Sequence, residues 1–137
     1  MTTNQAAATF IMFEGAAQDA MALYARAFGE DWAPGPVSLR DGDLGPATGP
    51  VLHASAELKG HRLMVVDSGV PHAFGLTPSI SLWVDCADQA ELDRVWEVLA
   101  DGGQVYMPRG DYGFTPYFGW VGDRYGVTWQ LCVGTAV

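Results

Sequence analysis

One pattern constrains this chain more than any other: strand, helix and three further strands are signalled twice, in the same order. The first pass opens with the apolar run 7–13, short and rich in β-forming residues. Glu14-Gly15 ends it. Across 16–28, Ala17, Ala20/Met21, Tyr24 and Ala27/Phe28 recur at helical spacing, and Gly29 follows as a natural terminator. Residues 34–50 hold four Pro and four Gly and read as loop, with one short strand at 37–39. Residues 51–58 alternate, and 62–67 pairs with them through the turn Lys59-Gly60-His61.

After the Gly/Pro-rich connector 68–78 the order returns. Residues 79–85 alternate as a strand. Asp88 is placed to cap a helix, with Glu91 three residues on to complete a capping box. Leu92, Val95, Trp96 and Leu99 form the apolar stripe of that helix, and Gly102-Gly103 stops it. A short strand follows at 104–107, then a loop to Pro116, then the hairpin 117–121 and 127–133. The repeat lies in the order of elements; identity between the halves is weak. The expectation is an α+β fold of two tandem βαβββ modules with helices on the outer faces. Module 1 spans about 7–67 and module 2 about 79–133, in a single domain 1–137. A ferredoxin-like or other α+β sandwich has a similar element count and is the alternative.

Composition bounds the function. At 137 residues and 49% hydrophobic, the chain is long enough for one packed core. No apolar run is long enough to span a bilayer, and residues 1–8 carry no secretion signal, so a soluble cytoplasmic protein is expected. The net charge of −9 argues against nucleic acid and anionic membrane as partners. It suits a neutral or cationic ligand, or simply solubility. Cys86 and Cys132 lack CxxC spacing and read as free thiols.

Particular residues carry a resemblance. Phe10-Ile-Met-Phe-Glu-Gly-Ala-Ala, the helix end Tyr24-Ala-Arg-Ala-Phe-Gly29, Leu52-His-Ala with Leu63-Met-Val-Val-Asp67-Ser, and Gly119-Trp-Val-Gly-Asp-Arg-Tyr-Gly-Val-Thr-Trp-Gln130 resemble the PhnB-like proteins of the vicinal oxygen chelate (glyoxalase/bleomycin-resistance) superfamily. The likeness runs from about Thr9 to Leu131 and is most specific in the C-terminal segment. Some members of that group are labelled 3-demethylubiquinone methyltransferases. This chain has no Gly-rich strand–turn–helix loop to cradle a nucleotide cofactor, and it is short for the usual methyltransferase domain.

The resemblance implies where chemistry would sit. In the superfamily's metal enzymes, inward side chains of the first, fourth, fifth and eighth strands hold a divalent ion. Those positions fall here on Thr9, on Met64 or Val66, on Ser79 and on Gln130. Two neutral hydroxyls, an apolar side chain and one amide are a poor ligand set, so no metal is expected, although a divalent ion with His53 recruited is an alternative.

Period-two parity groups Gln130 with Thr128 and Cys132, and Ser79 with Ser81, Trp83 and Asp85. It also places Cys86 and Cys132 on opposite faces. His53 shares a face with Ser55 and Glu57 and matches a His of the PhnB-like pattern. It reads either as a base, hydrogen-bond partner or ligand, or as a histidine bonded within a half-buried sheet. His61 and His72 read as surface residues. Trp83, Trp120, Phe118, Tyr112 and Phe114 are candidates for the wall of a ligand cavity. The segment 109–116 reads as a cover over it or a plain hairpin loop, while Trp96 and Trp129 read as core.

The first functional expectation is a small-molecule binding protein or metal-independent enzyme using Thr9, His53, Ser79, Trp83, Trp120 and Gln130, with His53 as the catalytic candidate. The alternatives are a metal-dependent lyase, isomerase or dioxygenase, and a protein that sequesters a cationic antibiotic. A homodimer is also expected, because an open sheet face favours burial against a partner.

Overall fold

The structure is a computed structural model that describes residues 7–41 and 48–134. The readings of residues 1–6 and of 42–47 within the Gly/Pro-rich stretch lie outside the described residues. The chain divides into two compact units, Met1–Ala73 and Phe74–Val137. Each repeats one element order. The first unit holds β1 (Thr9–Phe13), α1 (Ala17–Phe28), a single 3-10 turn (Gly29–Asp31), β2 (Trp32–Leu39), β3 (Val51–Leu58) and β4 (His61–Asp67). The second holds β5 (Ser81–Cys86), α2 (Gln89–Ala100), β6 (Gln104–Gly110), β7 (Tyr117–Gly122) and β8 (Thr128–Val133). The fold is α+β, two βαβββ modules in tandem, each a four-stranded mixed sheet with one helix.

Strand order is β1-β4-β3-β2 in one sheet and β5-β8-β7-β6 in the other. β1 runs parallel to β4, and β5 parallel to β8; the remaining pairs are antiparallel. Each helix covers one face of its own sheet. In the first unit Ile11, Phe13, Ala54, Ala56, Leu63 and Val65 are buried on that face, under Ala20, Leu23, Tyr24 and Ala27 of α1. In the second, Val84, Val121, Trp129 and Leu131 lie under Leu92, Val95, Trp96 and Leu99 of α2. Each of the larger side chains contributes about 1.5–3 kcal/mol by leaving water.

The two helices start by different means. Asp88 accepts from the backbone N–H of Glu91 at 2.8 Å, while Glu91 reaches back to the N–H of Ala87 at 3.0 Å. The sequence motif is thus used, with its return bond displaced by one residue. Helix α1 begins after Ala16, which has no capping side chain. Its start is held from a distance by the buried carboxylate of Asp67, at the end of β4. Oδ1 accepts from Gly15 and Ala17, and Oδ2 from Val51.

Several strand boundaries differ from the sequence reading: β1 starts at Thr9 rather than at 7, β6 runs on to Gly110 rather than ending at 107, and β2 and β5 differ as follows. β2 begins at Trp32, five positions before the expected short strand, and runs through Pro34 and Pro36. Proline removes a ladder donor, but β2 is an edge strand and its register breaks between Pro34 and Val37, so the loss is tolerated there. β5 begins at Ser81 rather than Ser79, which lies in the preceding turn.

Candidate functional site

The second sheet turns one face to α2 and the other away from it. The register along β8 shows what the outer face carries. Gln130 stands beside Trp83 of β5 on one side and Trp120 of β7 on the other. One step along, Cys132 stands between Asp85 and Phe118; one step the other way, Thr128 stands between Ser81 and Gly122. Nine side-chain positions therefore share one face in three rows, because paired residues of adjacent strands point the same way. The middle row is a half-buried amide between two indoles.

Most polar groups on this face are committed. Ser81 Oγ lies 2.7 Å from Thr128 Oγ1, which in turn donates to the Ile80 carbonyl at 2.8 Å. The Trp83 indole N–H donates to Asp85 at 2.9 Å, which orients the ring. The Trp120 ring also packs against Tyr106, with ring centroids 4.9 Å apart and the planes tilted by 35°. Tyr106 falls at the register break between Val105 and Met107 of β6, and its ring passes over Gly122, where an added Cβ would meet it at 3.1 Å.

Segment 111–116 adds a second aromatic layer. Phe118 lies 5.8 Å from Trp83, 5.8 Å from Tyr112 and 5.0 Å from Phe114, by ring centroids. The segment is tied at both ends. Buried Thr115 donates to the Val133 carbonyl, and Tyr112 donates to the Pro108 carbonyl. Arg109, which belongs to β6, lies 5.4 Å over the Trp96 ring and pairs with Asp93 at 2.8 Å and Glu97 at 3.4 Å. Tyr117 donates to the same Asp93 oxygen. Burial, the hydrogen bond and the Asp93 charge push the Tyr117 hydroxyl above its ordinary value of 10.0.

The structure does not bring all the expected residues to this site. Trp83, Trp120 and Gln130 share one row. Ser79 does not reach the sheet: it is exposed, with its Oγ 2.6 Å from Thr77 Oγ1, because the strand starts two residues later. Thr9 is on the wrong face. It pairs with Leu63 and shares the α1 side with Ile11 and Phe13, and its hydroxyl lies 2.8 Å from His61 Nε2. The outward positions of β1 are Phe10 and Met12, beside Met64 and Val66. His53 belongs to the first unit, half-buried on the face with Ser55 and Glu57. His61 and His72 are hydrogen-bonded, to Thr9 and to Ser68 at 2.7 Å, rather than free surface histidines. Cys86 and Cys132 are buried free thiols on opposite faces of one sheet.

A family model described as 3-demethylubiquinone-9 3-methyltransferase matches residues 5–132. The chain belongs to this PhnB-like family. Among solved structures, the PhnB protein of Bacillus cereus is 41% identical, covers 95% of this chain and 100% of its own, and has a TM-score of 0.88. A Pseudomonas aeruginosa protein is 24% identical over 95% and 98% of the two chains, with a TM-score of 0.77. A fosfomycin resistance protein of Listeria monocytogenes, solved with Mn(II), is 12% identical over 98% and 95%, at a TM-score of 0.68. The last two show a shared fold. No curated protein matches.

The metal of such relatives can be tested against this PhnB-like chain's own donors. Thr9 faces α1, Ser79 is off the sheet, and Met64 offers nothing to a hard ion, so Gln130 is the remaining donor of the four expected positions. Among the described residues, no group of three or more His, Cys, Asp and Glu is placed to hold a metal ion. These residues do not fit a divalent metal, and no chemistry is derived through one. Tyr106 and Asp85 join the site without being sequence candidates for it. Parity groups Asp85 with Trp83 along β5; Tyr106 carries no signal, because a register break decides which way it points.

Proposed function

We propose that this PhnB-like chain binds a small, flat organic molecule on the outer face of its second sheet, without a divalent metal. The observation that supports the reading is the cross-strand row Trp83–Gln130–Trp120: two aromatic surfaces flank one polar group that sets orientation. Trp83 is 42% exposed, and Phe118, Tyr112 and Phe114 extend the apolar surface beside it. His53, half-buried on the sheet of the first unit, is no part of this row. Methyl transfer is not the reading either. The turns that lead into α1 and α2, Glu14-Gly15-Ala16 and Ala87-Asp88, carry no glycine-rich phosphate loop.

Titration calorimetry with a panel of bicyclic aromatics tests the proposal. The native chain is expected to bind members of the panel. Trp83→Ala is expected to weaken them by about tenfold, from the loss of one stacking surface worth about 1 kcal/mol beyond its buried area. Affinity unchanged by Trp83→Ala would remove this face from the function. We also propose a homodimer, since Phe10, Val37, Leu39 and Leu52 of the first unit are large apolar side chains left exposed.

A further inference from the structure

We infer that the ligand is a neutral planar heterocycle with a lactam-type edge, a ring carbonyl next to a ring N–H. The inference rests on the aromatic-face reading above and goes further by specifying the ligand's polar groups. It starts from two polar groups that have no hydrogen-bond partner among the described residues. Trp120 Nε1 is buried and has no hydrogen-bond partner among the described residues. The half-buried Gln130 side chain takes part in no hydrogen bond among the described residues. Their neighbours are all engaged: Ser81 with Thr128, Trp83 with Asp85, and Cys132 with Thr115. Buried polar groups are almost always paired in native proteins, and an orphan costs about 1–3 kcal/mol. Trp120 Nε1 is such an orphan, and the Gln130 amide beside it in the row is a solvent-reachable donor and acceptor with no protein partner among the described residues, so one ligand arriving from outside the chain would serve both.

The chemistry of the pair defines that partner. A glutamine amide presents a carbonyl acceptor and an N–H₂ donor side by side. Its complement is the same pattern reversed, an N–H next to a C=O, which is the edge of a lactam. The Trp120 indole N–H is a second donor, suited to the other lone pair of the ligand carbonyl. Trp83 supplies the open stacking surface, with its ring held by Asp85.

Charge argues against an anionic ligand. Asp85 lies one row away and repels an anion. In the second unit, Arg109 is paired with Asp93 and Glu97, Arg124 is paired with Asp101, and Arg94 stands exposed on α2, so none of them is placed to neutralise an anion on this face.

The experiment is calorimetry on the full chain with four probes of one shape: carbostyril, its O-methyl ether, naphthoate and N-methylquinolinium. Carbostyril is expected to bind about tenfold tighter than its ether, the worth of one net hydrogen bond. Naphthoate should bind weakest. Gln130→Leu should abolish the preference for carbostyril while leaving the ether's affinity in place, and Trp120→Phe should reduce the preference in part. The retained ether binding shows that each variant is folded. Equal affinity for carbostyril and its ether overturns the lactam edge while the aromatic face stands. So does tightest binding of the quinolinium or of naphthoate. Binding of none of the four at millimolar concentration overturns both.

Discussion

At the scale of single residues, space and hydrogen bonds decide more than residue type does. Gly119 lies under Trp96, and an added Cβ would meet the indole at 2.5 Å. Gly119→Ala must push the ring and α2 outward, so a loss of about 1–3 kcal/mol is expected in urea unfolding. A second expectation concerns Tyr117. Its hydroxyl is held above the ordinary tyrosine value by burial and by Asp93. A raised folded value means the neutral form is favoured in the folded chain. That contribution is therefore complete below about pH 10 and is lost as pH rises through the folded value. Tyr117→Phe should flatten the alkaline end of the stability profile; a variant as alkali-sensitive as the native chain would contradict this. Residue-scale reading of the sequence succeeded where parity had an anchor. Alternation groups Trp83 with Asp85 on one strand and Gln130 with Thr128 and Cys132 on another; only the pairing of β5 with β8 puts the two groups on one face. Thr9 lies on the α1 side instead, because carrying the family position over onto β1 holds no information on how the Glu14-Gly15 turn spends its residues. In a strand, an error of one position exchanges the two faces.

At the scale of elements, the helix stripes were legible and the strand ends were not. The stripe Leu92, Val95, Trp96, Leu99 is buried as its period required. Ser79 was lost because alternation continues past a strand end into a turn, and only pairing with β8 shows that the ladder starts at Ser81. Prolines argue against a strand and make the segment of β2 read as mostly loop; what admits them is the edge position, a property of the sheet rather than of the segment. The start of α1 makes the same point. No residue near Ala16 announces a cap, since the acceptor is Asp67, fifty positions on. Asp67→Ala is expected to cost about 3 kcal/mol, with the N–H groups of Gly15, Ala17 and Val51 left unsatisfied. A change below about 0.5 kcal/mol in urea unfolding would show that water replaces the carboxylate.

At the scale of the whole molecule, the proposed homodimer is open to sedimentation equilibrium. A dimer at micromolar concentration is expected, and Leu39→Glu or Leu52→Glu should shift it toward monomer; monomer alone for the native chain would end that proposal. No helix among the described residues is long and apolar enough to cross a membrane. The sequence by itself determined the element order, its repetition, the α+β class and the family, since these are carried by local periodicity, turn residues and a specific C-terminal run. Only the tertiary structure decided which side chains meet. Strand register set Gln130 between Trp83 and Trp120, an edge-strand break set Tyr106 on Trp120, and a turn set Thr9 on the helix side. The physical reason is common to all three. A strand's period is two, so which face a residue takes depends on pairings with distant segments that no local window contains.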